Sequence, residues 1–410
     1  MTKRPLRVLI VASHPVQYAT PIFRLLAKDP RVEIQVAYCS MQGAEPEIDP
    51  GFEVEVKWDI PLLDGYSWIH IPNRFGSPRL GSFFGLSNTG IWKSIRRGHF
   101  DAVVVYTGYV YATFWIALAA AKASGIAILF GTDAYDLAPR DASRWKRRVK
   151  KWLWPGLFQL ADIVTVVSSG GVALMRSLGI PECRVALAPF CVDNDWWAEK
   201  SDLVNRQAVR TRWSVPADAP VVLFCAKLQP WKRPSDLLRA FVKANDPAAY
   251  LVFAGDGTLR AELEAEAASL GMGDRVRFIG FTNQTGLPEV YTASDVLVLP
   301  SEYEPFGLVV NEAMLCRCPA IVSDHVGAKF DLVRDGETGY VFPCGDVDVL
   351  AQTLRRVLLE RQTLRKMGDA ARARMANWSH ADYAQALVGA IAKAVEVRHG
   401  SAGRQFSSRR

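Results

Sequence analysis

Short runs of apolar, largely β-branched residues recur along this chain, separated by longer segments with helical periodicity. The runs are continuous rather than alternating in polarity, which is typical of strands buried on both faces of a sheet. The first series lies at 6–12, 32–38, 102–106, 126–130, 163–167 and 185–188. The second lies at 221–226, 250–254, 276–279, 296–299, 320–323 and 339–342. Strand and helix alternating twice over predict an α/β chain with two doubly wound, Rossmann-like parallel sheets.

The two series also predict where the chain divides. Its 410 residues exceed what one small core normally organises. A polar stretch at 198–207 separates the series, so we place an N-terminal domain at 1–205 and a C-terminal domain at 206–379. Because ligands of such folds bind at the carboxyl ends of the strands, we expect the site in a cleft between the domains.

The end of the chain is predicted to be helical after Gly345. Candidate helices lie at 347–360, 364–375 and 381–398, and the last could pack back on the N-terminal domain. The tail at 399–410 is basic and low in apolar content, so we expect it to be disordered.

Composition narrows the class of protein. Half of the residues are hydrophobic and 22% are charged, which excludes a disordered, collagen-like or disulfide-stapled chain. The 49 Lys and Arg against 42 Asp and Glu leave a net charge of +7, which suits anionic partners without choosing among phosphates, lipid and nucleic acid. The seven cysteines are scattered and include no CxxC, so we expect reduced thiols in the cytoplasm.

No segment is expected to cross a bilayer. The basic N-terminus is followed by an apolar run that ends at His14 and Pro15, which indicates a buried first strand rather than an export signal. The most hydrophobic window, 110–130, is interrupted by Lys122 and Ser124, short of the ~18 uninterrupted apolar residues of a spanning helix.

The segment SEYEPFGLVVNEAM, directly after an apolar strand, is chemically the most informative. Phe306, Gly307 and Leu308 stand where a helix should begin, and the free N–H groups at a helix start attract a phosphate. Glu304 precedes the first turn and Glu312 lies inside the helix, at most ~12 Å away at ~1.5 Å per residue. Carboxylates accept hydrogen bonds from hydroxyls, so the pair suits hydroxylated rings on either side of two phosphates. Two solvated charges near a helix start are the alternative.

This half carries, in order, a strand, Glu304, Glu312, Ala313, Met314, Pro319 and the segment DGETGYVF. That order resembles the signature of the family-four glycosyltransferases, which are retaining enzymes of the two-Rossmann GT-B architecture. The resemblance covers most of the C-terminal half. It implies that the C-terminal domain binds a nucleotide sugar and the N-terminal domain the acceptor. It also implies that Glu304 contacts hydroxyls of the transferred sugar and Glu312 the ribose.

Two lysines at a second strand-to-helix junction add to the resemblance. Lys227 and Lys232 lie in CAKLQPWKRP, where the family carries two basic residues that hold the donor diphosphate, the first often Arg. Two fixed cations would neutralise the charge that grows on a leaving diphosphate. Exposed lysines beside a turn are the alternative interpretation.

The N-terminal half departs from the family pattern. His14 stands just past the first strand, at the carboxyl edge of the predicted sheet, although a lone His is more often structural. Many family members carry an active-site His after the strand equivalent to 126–130, where this chain reads LFGTDAYD. Asp133 is therefore the nearest polar candidate for contacting the sugar or acceptor, with helix capping as the plain alternative. Glu304, Asp133 and His14 form the predicted catalytic set.

A basic amphipathic segment, RWKRRVKKWLW, lies at 144–154. It places Trp145, Val149, Trp152 and Leu153 on one helical stripe and six Lys or Arg on the rest. Such helices bind anionic headgroup layers, which would suit a lipid-linked acceptor. A solvated basic face whose tryptophans pack on the domain is the alternative.

Two DxD patterns raise the question of a metal, because glycosyltransferases of the other major fold hold a divalent ion with one. Asp193 and Asp195 follow a strand, and Asp346 and Asp348 open a helix, where carboxylates are ordinarily favoured. With no His and Cys cluster at ligand spacing, we expect no required metal and no other cofactor.

The resemblance, taken with these features, implies a retaining hexosyltransferase. We expect it to move a sugar from a UDP- or GDP-sugar to a hydroxyl of a carbohydrate or lipid-linked acceptor, such as a surface polysaccharide precursor. We expect it in the cytoplasm, with peripheral contact to the inner face of an anionic membrane and no nucleic-acid partner. A sugar-nucleotide epimerase, a noncatalytic sugar-nucleotide or polysaccharide-binding module and a basic nucleic-acid binder are the alternatives. A Rossmann dehydrogenase and a P-loop ATPase are disfavoured, since neither glycine fingerprint is complete.

Overall fold

The computed structural model describes residues 4–407 apart from 45–46, 50–53, 57–58, 77, 79–80 and 142. The strands are β1 (Leu6–Ala12), β2 (Val32–Tyr38), β3 (Glu47–Asp49), β4 (Val54–Val56), β5 (Trp68–His70), β6 (Ala102–Val105), β7 (Ala127–Thr132), β8 (Ile163–Val166), β9 (Val185–Leu187), β10 (Val221–Cys225), β11 (Tyr250–Ala254), β12 (Val276–Gly280), β13 (Val296–Leu299), β14 (Ala320–Ser323) and β15 (Gly339–Phe342). The helices are α1 (Thr20–Lys28), α2 (Gly90–Arg97), α3 (Ala112–Ala123), α4 (Arg144–Gln159), α5 (Ser169–Ser177), α6 (Asn194–Asp202), α7 (Arg206–Arg212), α8 (Pro234–Ala244), α9 (Arg260–Ser269), α10 (Leu287–Ala293), α11 (Leu308–Leu315), α12 (Val347–Leu359), α13 (Arg361–Arg374) and α14 (His380–Ser407).

The chain divides into two compact units. The first contains Met1–Pro46, Pro61–Pro189 and His380–Arg410, and the second contains Glu47–Ile60 and Phe190–Ser379. The observed division after Pro189 precedes the boundary that we predicted after 205. The reason is that α6 and α7 contact α10 of the second unit, where the buried ring of Trp197 packs against Tyr291.

The first unit is built on a parallel sheet of seven strands in the order β5-β2-β1-β6-β7-β8-β9. Its central strands are fully buried because helices cover both faces, and Val8 to Val11 have no exposed surface. The aromatic rings of Phe114, Phe130 and Phe158 pack in series within this core. The last helix, α14, contacts α1, β7 and β8 of this unit.

The second unit contains a parallel sheet of six strands in the order β12-β11-β10-β13-β14-β15. Its core joins Phe224 and Phe253 of the sheet to Leu238 on α8 and Leu354 on α12. Together the two sheets confirm the predicted α/β class with two doubly wound, Rossmann-like domains.

Short and terminal elements differ most from the sequence prediction. The three-residue edge strand β5 was not predicted, nor was the antiparallel pair β3 and β4, because each is too short to leave a clear apolar run. Where we predicted a disordered tail at 399–410, the backbone continues as helix to Ser407, and 408–410 lie outside the described residues. Once a helix is nucleated by packing, each further residue adds a hydrogen bond at little cost.

The strand order reverses at one point in each sheet, and these points locate the crevices. The first strand of each series, β1 or β10, pairs on one side with the next strand and on the other with a later one. The crossovers therefore leave in opposite directions, which opens a crevice at the carboxyl ends of the two central strands. In the second unit this crevice lies between the loops that follow β10 and β13.

Arg210 on α7 connects several segments at the opposite edge of this sheet, where the amino ends of its strands lie. Its side chain is buried and donates to the carbonyl oxygens of Ala217, Ala219 and Ala293 at 2.6–2.9 Å. It also donates to the carboxylate of Asp295, which accepts from the backbone N–H at the start of β10.

We predict that Arg210→Ala lowers the free energy of unfolding by about 3–5 kcal/mol. The change removes the buried partner of Asp295, which keeps the more exposed Arg206, and it leaves several buried carbonyls without their donor. Arg212→Ala on the same helix is the control, because Arg212 forms an exposed pair with Glu289 and should cost less than about 1 kcal/mol. Urea unfolding measures both. Equal losses in the two variants would contradict the role given to Arg210.

Candidate functional site

Two loops meet at the crevice of the second sheet. They follow β10 and β13, which are adjacent parallel strands, so their carboxyl ends lie side by side. The ammonium group of Lys232 on the first loop forms an ion pair with the carboxylate of Glu304 on the second. Their side chains are only 17% and 16% exposed. The structure therefore brings together two residues that the sequence placed at separate strand-to-helix junctions.

A glycine lies between Glu304 and the helix that follows it in the sequence. Gly307 has φ 98°, in the left-handed region that favours glycine, and a Cβ there would lie 3.2 Å from Cγ of Glu304. The next residue, Leu308, begins α11, whose first N–H groups have no carbonyl partner within the helix and carry partial positive charge. This end of α11 is suited to an anion.

Phe306 anchors the same turn. It is buried, and its ring stacks on Trp378 with centroids 6.3 Å apart. The side chain of Phe306 is therefore committed to packing, which leaves the backbone of this residue for the predicted contact with a donor.

A glycine that sequence reasoning missed holds this turn from the other side. The N–H of Gly327 donates to the carbonyl of Glu304 at 3.0 Å, and that of Ala328 to Phe306 at 2.8 Å. A Cβ on Gly327 would lie 1.9 Å from the Pro305 carbonyl oxygen, so no larger residue fits. Gly327 lies in HVGAKF, which carries no signal of this close approach without the structure.

Lys227 stands two residues after β10 and is partly buried. Its loop is held to the loop after β11, because the N–H of Leu228 donates to the Asp256 carbonyl at 2.9 Å. Gly255 permits this approach: it has φ 142°, and a Cβ there would lie 2.0 Å from the Ala226 carbonyl oxygen. The GxG pattern thus serves backbone packing beside the lysine.

Glu312 lies one turn into α11 and is partly exposed. One of its carboxylate oxygens, Oε2, accepts a hydrogen bond of 2.7 Å from the hydroxyl of Tyr291, a fully buried residue of α10. Burial raises the pKa of Glu312 to about 7. Sequence reasoning missed Tyr291, because a single tyrosine on an apolar helix face predicts a residue of the hydrophobic core.

In the first unit, His14 and Asp133 both follow strands of the sheet, β1 and β7. Nδ1 of His14 lies 3.0 Å from the hydroxyl of Ser13, and burial lowers the pKa of His14. The charge of Asp133 acts on Tyr18, whose pKa is raised to about 12 by burial and by this carboxylate. Tyr18, which sequence reasoning missed, lies on the loop of His14, near enough to Asp133 for this charge to act on its phenol.

The DxD patterns have structural roles at helix starts. Asp193 accepts from the N–H of Trp196 at 3.1 Å and caps α6, and Asp346 accepts from Val349 at 2.9 Å and caps α12. In the described part of the chain, no group of three or more His, Cys, Asp or Glu side chains is arranged to hold a metal ion.

A cavity of about 440 Å³ lies elsewhere in the second unit, lined by Arg206, Arg210 and Asp295 among others. It is at the amino edge of the sheet, opposite Lys232 and Glu304. Arg206 and Arg210 both pair with Asp295 there, so the cavity borders the structural network at the start of β10 and β13.

The raised pKa of Glu312 makes a prediction for stability. The folded state holds this proton more tightly than the unfolded chain, whose carboxyl has an ordinary pKa of 4.5, so the free energy of unfolding should fall as pH rises from 4.5 to about 7. We predict that Glu312→Gln reduces this fall. Urea unfolding at about pH 5 and pH 8 measures it, with exposed Glu337→Gln as the control. The same pH dependence in both variants would contradict the assignment.

Family comparisons cover both halves of the chain. Residues 15–191 match the "Glycosyl transferase 4-like domain" family model, and residues 205–374 match "Glycosyl transferases group 1".

The relatives are glycosyltransferases matched over part of their length. A D-inositol 3-phosphate glycosyltransferase of Geodermatophilus obscurus is 38% identical over 202 residues, which are 47% of this chain and 44% of that protein. A 2-deoxystreptamine glucosyltransferase of Streptomyces kanamyceticus is 31% identical over 214 residues, 51% of this chain and 54% of that protein. The chain thus spans about half the length of these curated relatives.

Solved structures share the fold over nearly the whole chain. HepE of Anabaena in complex with UDP has a TM-score of 0.72 at 18% identity, covering 94% of this chain and 100% of that one. A glycosyltransferase of Rickettsia africae has a TM-score of 0.73 at 16% identity, covering 96% and 99%. Both halves of the chain therefore match glycosyltransferase family models, and its fold is that of the GT-B glycosyltransferases.

Proposed function

We propose that the chain is a retaining, family-four glycosyltransferase that moves a hexosyl group from a UDP- or GDP-sugar to a hydroxyl acceptor. The observation that carries this proposal is the ion pair of Lys232 with Glu304 beside the first turn of α11. This arrangement brings together, at one crevice, a cation, a carboxylate that can accept hydrogen bonds from hydroxyl groups, and the N–H groups of a helix start. The structural neighbour HepE, solved with UDP and with UDP-glucose, supports a nucleotide sugar as the donor.

The diphosphate of the donor would bind Lys227, Lys232 and the N–H groups at 306–308. A phosphate oxygen competes for the ammonium group of Lys232, which loosens its pairing with Glu304. The released carboxylate then accepts hydrogen bonds from the hydroxyls of the sugar. Glu312, further along α11, would accept from the ribose hydroxyls.

In the transfer step, the acceptor oxygen forms a bond to the anomeric carbon as the bond from that carbon to the diphosphate oxygen breaks. Attack comes from the face that the diphosphate leaves, which retains the configuration. The departing phosphate oxygen takes the proton of the acceptor hydroxyl, so charge and atoms balance. The fixed charges of Lys227 and Lys232 stabilise the diphosphate more as it leaves than in the ground state.

The first unit would supply contacts to the sugar or the acceptor. His14 is neutral near pH 7 because burial lowers its pKa, so its ring can donate one hydrogen bond and accept another. Asp133, close to Tyr18, is an acceptor for hydroxyl groups. We propose that no metal is required, since two lysines supply the positive charge that a divalent ion would bring.

We predict that Glu304→Ala and Lys232→Ala each lower the turnover number at least ~100-fold, the scale of losing one preorganised electrostatic contact. Glu337→Ala is the control, because this glutamate is exposed and forms a local ion pair with Arg334. Mass spectrometry of UDP-, GDP- and ADP-sugars measures slow hydrolysis without acceptor, and the active donor is then used for transfer. Near-normal turnover in both site variants would remove these assignments.

We also propose cytoplasmic location with peripheral binding to an anionic membrane, which would bring the protein to a lipid-linked acceptor. The alternative in which Trp145 and Trp152 pack on the domain does not fit their exposure, since these side chains are 64% and 83% exposed. Val149, on the same stripe, is 47% exposed. Helix α4 is anchored instead by Trp154 and Phe158, which are buried. None of the described helices combines the length and hydropathy needed to cross a bilayer.

The double variant Trp145→Ala/Trp152→Ala should bind vesicles of phosphatidylglycerol and phosphatidylcholine at least about tenfold more weakly, because two apolar anchors are lost. Trp92→Ala on α2, which is 39% exposed, is the control. Vesicle sedimentation measures both, with pure phosphatidylcholine as the neutral reference. Equal sedimentation of wild type on the anionic and neutral vesicles would contradict the proposal.

A further inference from the structure

We infer that Tyr291 is a positioning residue of the donor site, which holds Glu312 in place for the ribose and fixes its spacing from the loop that carries Lys227. This inference rests on the proposed function, because it assigns Glu312 to the donor. Tyr291 is not among the residues that the sequence identified. We assign it no contact with the ligand, and it acts only through Glu312.

The contacts of Tyr291 are specific and enclosed. Its hydroxyl donates to Oε2 of Glu312 at 2.7 Å and lies 3.3 Å from Sγ of Cys225. The side chain has no exposed surface, and its ring packs edge-on against Trp197 with centroids 5.8 Å apart. A phenol has one proton, so the shorter contact to the carboxylate takes it, and the thiol of Cys225 can donate to the phenol oxygen.

The position of Tyr291 in the fold explains why these contacts bear on the ligand. Cys225 is the last residue of β10, two residues before Lys227, whereas Glu312 lies on α11. The single side chain on α10 therefore contacts both elements that carry the proposed diphosphate and ribose contacts. Burial on every side leaves it few alternative rotamers, so it acts as a rigid spacer between them.

The hydrogen bond also directs the carboxylate. With Oε2 occupied by the phenol, Oε1 is the oxygen left for a ligand hydroxyl. Burial raises the pKa of Tyr291 well above its ordinary value, so the phenol keeps its proton and remains a donor. A charge-assisted hydrogen bond of this kind favours the ionised carboxylate, which is the form that accepts from a ribose hydroxyl.

Glu312 is the group here that titrates near neutral pH. The titratable groups on which its charge acts are Tyr291 on α10, Cys225 on β10 and Cys316, the first residue after α11. Burial raises the pKa of both thiols, that of Cys225 to about 12, so they stay neutral. Affinity for a nucleoside diphosphate should therefore rise with pH through a midpoint near 7, and loss of the phenol should move that midpoint upward.

Calorimetric titration with UDP, and separately with GDP, from about pH 6 to pH 8.5 tests this. We expect Tyr291→Phe to weaken binding about tenfold at pH 7, the worth of one charge-assisted hydrogen bond, and to raise the midpoint. Tyr383→Phe is the matched control, because it removes the hydroxyl of another buried tyrosine, which lies 2.7 Å from the hydroxyl of Tyr106 in the other unit. The terminal phosphate of the ligand titrates near pH 6 in every variant, so it cancels in the comparison.

The inference would be overturned if the wild type binds and Tyr291→Phe has the same affinity and pH midpoint as Tyr383→Phe. That result would leave the proposed function intact. Failure of the wild type to bind either nucleotide would overturn both. If Tyr291→Phe does not fold, Trp197→Phe is the second test, because it loosens the ring contact that holds Tyr291 beside Glu312. Weaker binding and a raised midpoint there support the inference, and unchanged binding overturns it.

Discussion

The ion pair between Lys232 and Glu304 is the interaction on which the candidate site depends. It forms because β10 and β13 are neighbours at the point where the strand order reverses, so two loops far apart in sequence meet. Before a ligand binds, the pair stabilises the ionised form of both groups, because each partly buried charge has an opposite charge beside it. A diphosphate can replace the carboxylate at the lysine, and hydroxyls of the sugar can then donate to the carboxylate that is released.

The two glutamates that bracket the helix start have different surroundings and therefore different properties. Glu304 is paired with a cation, whereas Glu312 accepts a hydrogen bond from a buried phenol. Desolvation without a cation raises the pKa of Glu312 to about 7. Two carboxylates that look alike in the sequence are thus suited to different tasks, and the difference arises from tertiary contacts.

The regular part of the fold could be predicted because parallel strands buried on both faces leave unbroken apolar runs. Val296–Leu299 and Ala320–Ser323 have the predicted bounds for this reason. The contacts of Tyr291 and Tyr18 could not be predicted, since each depends on a residue brought near by a different strand or helix. Amphipathic periodicity likewise predicted a basic helix at 144–154, which the structure extends to Gln159, without deciding whether its tryptophans are exposed or packed.

A crystal structure of the chain with its sugar nucleotide tests the central claim most directly. We predict that the diphosphate lies within hydrogen-bond distance of the ammonium groups of Lys227 and Lys232 and of the backbone N–H groups at 306–308, with Glu304 turned to the sugar. Phosphates bound at any other place, with Lys232 still paired to Glu304, would contradict it.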